Sequence, residues 1–500
     1  MRSLRVQRPF SYDRQKVIKQ NRKAGEKVRT ELSKYPDYSA EVEAIDADGI
    51  SEKLLNRIIN KHRKNAIHNK KLMDRYGVID KSVPIFKRKP RFEDDQNAIN
   101  NMLNNDFFSE IVDFKVGYFA GKPIGYSYSN TQEAKEETGS NEAVEEAAKA
   151  ITDFVTRNNM YDVDMEISKY AAICGYAGRL FYIEEGTGYE RCMAVEPYEA
   201  IVLSKLEVTE PKYAVRYYKT KDINDRTIWK AEFYDDRDIY YFEGNIGNMT
   251  FIKKEPHLFD FCPLQLIPNN KEMLGDAEKV LSLIDAYDRA LSDCNNEVEG
   301  FARAYMVYEN VKASDNDIRR AQKTGAIQFF SGTANGKVYF LTKDINDEFT
   351  ENHLDRLEEN IYRFSKTPNL SDDTFGTASG IALKFKLTGL ETKCGMFQAK
   401  MQAAGNYMFK LLSSSWRKKR IEVEPLQCVM DFKRNFPLDL LSEAQAAQAL
   451  IAAGLPKRLV YALAVSGIDD VEWVMQQIEA EENSIPDLPD DVDDDMAAGV

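Results

Sequence analysis

Between Leu383 and Leu411 the apolar residues fall at alternating spacings of four and three without a miss: Leu383, Leu387, Leu390, Cys394, Phe397, Met401, Ala404, Met408 and Leu411. Such a pattern places every one of these side chains on one face of an α-helix, and so narrow a stripe needs a covering partner along its whole length. A helix over residues 380–413 would be roughly 50 Å long. Gly389, Gly395 and Gly405 lie inside it, each unfavourable by about 1 kcal/mol against alanine, which implies a bend or the close approach of another backbone. Two other segments carry the same signature. Val280, Ile284, Tyr287, Leu291, Cys294 and Val298 mark one helix; Leu354, Leu357, Ile361 and Phe364 mark a second in "FTENHLDRLEENIYRFSK". An intramolecular helical core and packing between copies both satisfy such stripes, and periodicity alone leaves both open.

The helix marked by Leu354–Phe364 and the one marked by Leu383–Leu411 are separated by "TPNLSDDTFGTASG", a loop rich in breakers and acids. A small insert precedes them, with strands in "AYMVYENV", "AIQFF" and "KVYFL" and a helix capped by Ser314; Asn335-Gly336 suits a tight turn. The first half reads as one mixed α/β domain. Helical patterns cover 50–80 and 96–120, and a further helix runs toward Val155. Aromatic and β-branched runs such as "YAVRYYKT", "TIWKAEFYDD" and "DIYYFEG" then read as strands between Arg179 and Leu266. After the long helix, "CVMDFKRNFPLD" reads as a strand ending at Pro437, and 442–482 as two or three amphipathic helices.

Five hundred residues are too many for one compact core and imply two or three domains. Charged residues at 30% and a mean hydropathy of −0.51 fit a soluble chain, and no apolar run approaches a membrane span. The N-terminus is basic without the apolar stretch of a secretory signal. Six cysteines without a C-x-x-C pair fit reduced thiols in a cytoplasmic setting. Charge is uneven, with basic peaks in "KHRKNAIHNKK" and "FKRKPR" and an acidic C-terminal run, "EAEENSIPDLPDDVDDDMAAGV", whose composition predicts disorder. The chain contains no P-loop, G-x-G-x-x-G, H-E-x-x-H or G-x-S-x-G motif. His62, His68, His257 and His353 lack metal-pair spacing and read as structural or surface residues. Asp372 and Asp373, adjacent in a loop, lack the fixed separation that acid–base chemistry needs. Cys394 sits on the apolar stripe as a small hydrophobe. No catalytic residue, cofactor or metal is expected.

"NLSDDTFGTASGIALKFKLTGLETK" resembles a motif of portal proteins from tailed bacteriophages, in the branch of long-tailed phages of Gram-positive hosts. It joins a loop of small residues to S-G-x-A-L and G-L-E-x-K at the head of a long helix. "VDFKVGYFAGKPIGY", "LIPNNKEMLGDAEKVLSLIDAYDRALSDCNNEVE" and "DFKRNFPLD" agree in kind and order, over about 45–480. The resemblance implies an α+β portal fold: an α/β wing (45–271), stem helices (272–300 and 349–366), a small α/β clip (301–348), a tunnel loop (367–379), a long kinked helix (380–418), a return strand to the wing (419–439) and a helical crown (440–482). A basic arm (1–44) and an acidic disordered tail (483–500) flank these parts. It also implies a ring of about twelve subunits at one capsid vertex, through which double-stranded DNA enters and leaves without sequence recognition. The implied partners are terminase, a head-completion adaptor, and scaffold and major capsid proteins; no membrane is involved. Such a chain would reside in the virion, passing through the host cytoplasm during assembly. Asn369, Ser371, Asp372, Asp373, Thr374, Phe375, Gly376, Thr377 and Ser379 would form the tunnel loop. Hydroxyls there offer exchangeable hydrogen bonds to phosphates, while the two acids weaken adhesion. Asp285, Asp288 and Glu299, with Lys384 and Lys386, are candidates to face the channel, and Leu383, Leu387, Leu390, Phe397 and Met401 to pack the helices. Solvated helix acids are an equal account of the first three. A metal-dependent nuclease or hydrolase, or a coiled-coil scaffold without a DNA role, stand as alternatives.

Overall fold

The computed structural model describes residues 35–90, 99–128, 140–204, 208–221, 223–301, 305–309, 337–341, 347–369, 380–435, 440–465 and 474–478, with single positions at 314, 316, 319 and 471. The description falls into two units. The first comprises the N-terminal part through Leu370 together with Leu387–Asn435; the second comprises Ser371–Lys386 and the residues from Phe436 onward.

In the first unit, α1 (Ser39–Asp48) leads to α2 (Glu52–Tyr76), which starts where the Ser51 hydroxyl accepts the Leu54 amide at 3.3 Å. Leu55, Ile58, Ile59, His62, Asn65, Asn69 and Leu72 form the buried face of α2, at the spacing a helix imposes. Next come α3 (Phe107–Ala120), the short strand β1 (Gly125–Tyr128), α4 (Ser140–Arg157) and α5 (Met160–Cys174). The helical pattern read over 96–120 is a helix only from 107. Residues 101–105 instead lie extended along another helix, for reasons that belong to the site below.

Strands β2 (Tyr176–Ile183), β3 (Glu190–Val195) and β9 (Leu264–Pro268) make a three-stranded antiparallel sheet ordered β3-β2-β9. Strands β4 (Ala200–Leu203), β5 (Tyr213–Lys221), β6 (Thr227–Tyr234), β7 (Asp238–Asn245) and β8 (Asn248–Pro256) form a five-stranded meander in sequence order. The buried face of α2 covers this meander, packing Leu55, Ile58 and Ile59 with Val202, Val215, Phe233 and Phe242. Helix α2 also closes the β8 edge at two points, one of them the Phe251 amide donating to Glu52 Oε1 at 2.8 Å. At the other, the Asn56 side chain donates to the Met249 carbonyl at 3.1 Å and accepts its amide at 3.0 Å, taking the place of a neighbouring strand.

A second core lies where the α/β part meets the long helices α6 (Leu281–Phe301) and α7 (Asp347–Ser365); the third long helix is α8 (Gly380–Lys418). Phe107, Ile111 and Val112 of α3 pack there with Ile173, Val280, Ile284 and Ile361. Helix α6 begins one residue after the first position of its stripe, Val280, and nine residues into the stem segment 272–300 that the resemblance implies. Residues 272–277 form a turn with Met273 at φ 56, followed by a single 3-10 turn over Glu278–Val280. Between α6 and α7, β10 (Tyr305–Glu309) and β11 (Lys337–Leu341) pair as an antiparallel ribbon; the strand read in "AIQFF" and most of the helix after Ser314 lie outside the described residues.

The stripe of α8 is covered within the chain. Leu390, Cys394, Phe397, Met401, Ala404 and Leu411 are fully buried and Leu387 and Met408 nearly so; the Leu383 side chain lies outside the described residues. Gly405 explains one glycine of the three. A β-carbon there would overlap the Met430 sulfur of β12 (Cys428–Asp431), which pairs antiparallel with β1 and so returns the chain to the α/β part. A β-carbon at Gly395 would meet nothing, and nothing in its surroundings explains it. In the second unit, α9 (Leu440–Ala452) packs on α10 (Lys457–Ala464).

Candidate functional site

The motif segments converge on one junction at the root of the loop after α7. Lys115 projects from the middle of α3, a helix that is otherwise largely apolar, and its side chain is buried. Its ammonium group donates to Asp276 Oδ2 at 2.7 Å and to Asn269 Oδ1, and lies 4.7 Å from the centre of the Phe397 ring. From α8, Lys393 reaches the other oxygen, Asp276 Oδ1, at 2.8 Å, and donates to the Ser365 carbonyl at the end of α7, also at 2.8 Å. One carboxylate thus ties α3, the turn before α6, and α8, and the second lysine adds α7. Burial pushes the Asp276 carboxyl up, but the two ammonium groups outweigh it and hold the carboxyl below its usual range. Burial draws the Lys393 ammonium down against the pull of Asp276.

A second, shallower cluster flanks the first. Arg434, just beyond β12, grips Glu391 with Nε and Nη2 at 2.9–3.2 Å and donates to Gln398 Oε1 at 2.8 Å. Tyr118 donates to Glu391 Oε2 at 2.9 Å, and the Arg434 guanidinium lies 5.1 Å from the Phe119 ring centre. Glu391 and Lys393, two residues apart in "GLETK", therefore serve different neighbours. Farther along α8, the fully buried Arg179 pairs with Asp164 at 2.9 Å and donates to the Met408 sulfur at 3.4 Å. Tyr126 donates to the other Asp164 oxygen.

Helix α6 holds the segment that sequence reading took for helix. The amides of Asn101, Leu103 and Asn105 donate to Asn296 Oδ1, Ser292 Oγ and Asp288 Oδ1 at 2.7, 3.0 and 2.8 Å. Alternate residues of an extended chain rise about 6.8 Å, and four residues of a helix about 6 Å, so the two ladders keep step. Asp288 is consequently 1% exposed, a correction to its expected place on a channel wall. Asp285 is likewise committed inside the subunit, paired with buried Arg75 at 2.6 Å. Glu299 keeps an exposed carboxylate, while accepting the Asn101 side chain at 2.9 Å.

The loop root itself is fixed. Beyond the Lys393–Ser365 contact, the Thr367 amide returns to the Tyr362 carbonyl at 3.1 Å and Asn369 donates to Glu358 Oε1 at 3.0 Å. Ser371, Asp372, Asp373, Thr374, Phe375, Gly376, Thr377 and Ser379 lie outside the described residues. The Lys384 backbone is helical but its side chain is outside them; Lys386 is exposed. Among the described residues no cluster of three histidine, cysteine or acidic side chains could hold a metal, and no helix is long and apolar enough to cross a membrane. No disulfide joins any of the six cysteines. Sequence reading missed Lys115, Asn269, Asp276, Glu391, Lys393 and Arg434 as a set. The available signal was a lysine in the middle of an apolar helix, which burial without a partner would forbid.

The α/β part and the long helices are thus locked together by the same motif segments that carry the resemblance to portal proteins. The chain belongs to the phage portal protein family, SPP1 Gp6-like, whose model matches residues 55–486. It is 24% identical over 343 residues to the portal protein of Clostridium phage phiCD119, across 64% of this chain and 73% of that protein. It is 22% identical over 426 residues to the portal protein of Bacillus phage SPP1, across 80% of each chain.

Proposed function

We propose that this portal chain forms a ring of about twelve copies whose loop at 367–379 lines and narrows the passage for double-stranded DNA. The observation that carries the reading is the bolted loop root. Lys393 fixes the last turn of α7 through Ser365 and, through Asp276, ties it to Lys115. A loop held this firmly at its base can yield to a moving duplex without transmitting disorder into the fold. Glu299, Lys384 and Lys386 are the remaining candidates for the channel wall. Val298 and Phe364 extend the stripes of α6 and α7 onto the surface, 62% and 56% exposed; in this reading they meet the neighbouring copy.

The chain would then be conduit and platform rather than enzyme. The β10–β11 ribbon and its surroundings would dock the terminase motor during packaging and the head-completion adaptor afterwards, with scaffold and major capsid proteins around the ring. ATP hydrolysis would belong to terminase, consistent with the missing P-loop. Assembly would take place in the host cytoplasm before the ring is enclosed in the virion. Deleting 370–378 tests the reading: closed rings should still form, seen by negative-stain imaging, while yields of DNA-filled heads fall. Rings with normal yields of filled heads would remove the loop from DNA passage.

A further inference from the structure

The basic run of α2 has no place in the channel reading, and its position on the fold gives it a different one. Arg63, Ile67, Lys70 and Lys71 share one face of the helix, at spacings of four, three and one, and form one rim of a groove of about 480 Å³. The opposite wall comes from β5 and β6, where Lys219 lies over Trp229 at 5.1 Å from the ring centre. Tyr198 forms part of the floor, with the Lys70 ammonium 5.1 Å from its ring centre. Four cations thus stand around an apolar floor that holds one carboxylate, Glu199, while Asp74 pairs with Lys70 from outside the groove at 3.0 Å. Ile67 is left 49% exposed at the rim. A surface meant only for solvent would not place an aliphatic and an indole between four positive charges. A phosphate backbone would use the charges and leave the apolar floor without a partner.

We propose that this groove takes the acidic C-terminal segment, residues 479–500, of another copy of the chain. The charges are complementary: the segment holds nine carboxylates and no lysine or arginine. It also carries aliphatic anchors, Ile485, Leu488 and Val492, at spacings of three and four, with Pro486 and Pro489 limiting the conformations to be given up on binding. Twenty-two residues reach up to about 70 Å when extended, enough to bridge adjacent subunits. The inference stands apart from the loop's role in DNA passage; it requires only that copies lie side by side.

Two full-length variants test it when co-expressed with different affinity tags, Ile67→Cys in one and Leu488→Cys in the other. Oxidation is expected to link the two tagged chains several-fold more than the control pair of Lys254→Cys, on exposed β8, with Leu488→Cys. Reversing Arg63, Lys71 and Lys219 to Glu should abolish the excess while thermal melting stays unchanged, since all three are exposed. As a second measure, a fluorescent peptide of residues 481–496 should bind the full-length protein and lose at least tenfold in affinity when Ile485 and Leu488 become serine. The proposal fails if 67–488 and 254–488 link equally or not at all, or if charge reversal leaves the link intact. It fails equally if the serine peptide binds as well as the natural one, or if short duplex DNA at equal charge concentration displaces the peptide, which would make the groove a polyanion site.

Discussion

Asp276 serves two lysines, so removing the carboxylate and removing one lysine are different perturbations. Asp276→Asn leaves Lys115 and Lys393 buried without an anion, and the expected loss is about 3–5 kcal/mol. Lys393→Met keeps the Lys115–Asp276 pair and fills similar space, so its loss in denaturant unfolding should be clearly smaller, although it frees the Ser365 carbonyl. If Lys393→Met were the more damaging, Asp276 would not be the hub. His62 offers a pH test. Fully buried between the hydroxyls of Tyr217 and Tyr176, at 2.9 and 3.3 Å, its ring has a pKa pushed down by burial to about 3. The folded state therefore keeps the ring neutral where the unfolded chain protonates it. The stabilising preference is complete above pH 6.5 and is lost as pH falls from there toward 3. Between pH 6 and 4, wild-type stability should fall more steeply than that of His62→Gln, by about 1 kcal/mol per pH unit. Parallel slopes would mean that the ring titrates normally in the fold.

Among the helices, an apolar stripe has two fates, and single substitutions should separate them. Phe397 is wholly buried against Phe119, with ring centres 4.8 Å apart. Phe397→Asp, or Leu387→Asp, places an unpaired charge in that core and should prevent the subunit from folding, read as loss of soluble protein or of a cooperative melt. Phe364→Ser lies on the exposed end of its stripe, so melting should change by less than about 1 kcal/mol. Native mass spectrometry should nevertheless show fewer closed rings. Equal folding defects from Phe364→Ser and Phe397→Asp would place both residues in one core. The three long helices were legible because a four-three repeat has few other solutions, and α8 begins at Gly380 as its pattern indicates. What covers α8 was not legible, since burial by its own chain and by a copy leave the same periodicity. The extended 101–105 segment was hidden for a related reason: its amides are satisfied by side chains of α6, almost two hundred residues away. The junction was legible only as motifs. "DFKVGYFAG", "LGD", "GLETK" and "DFKRNFP" carry the family resemblance as strings, whereas the pairing of their charged residues depends on contacts across 43 to 161 residues of chain that a string does not state.

For the whole molecule the governing quantity is charge multiplied by symmetry. In the proposed ring of about twelve copies, a formal −13 per chain becomes on the order of −150, which would oppose nonspecific adhesion to DNA everywhere except where cations are concentrated. In the tunnel-loop reading, Asp372 and Asp373 extend this opposition to the place where the duplex is held most closely. Replacing both with lysine changes four charges per chain, close to fifty around the ring. Each lysine that neutralises a phosphate releases condensed counterions, so adhesion should become strong at low salt and weaken steeply as salt rises. The expected outcome is that D372K/D373K rings package DNA more slowly than wild type in a low-salt packaging reaction with purified motor, and that the gap narrows between about 50 and 200 mM salt. The corresponding D372N/D373N rings, which remove repulsion without adding attraction, should fall between the two. Were the lysine rings to package at the wild-type rate throughout that range, the loop would not touch the passing duplex, and the weak adhesion of the channel would have to arise from other residues.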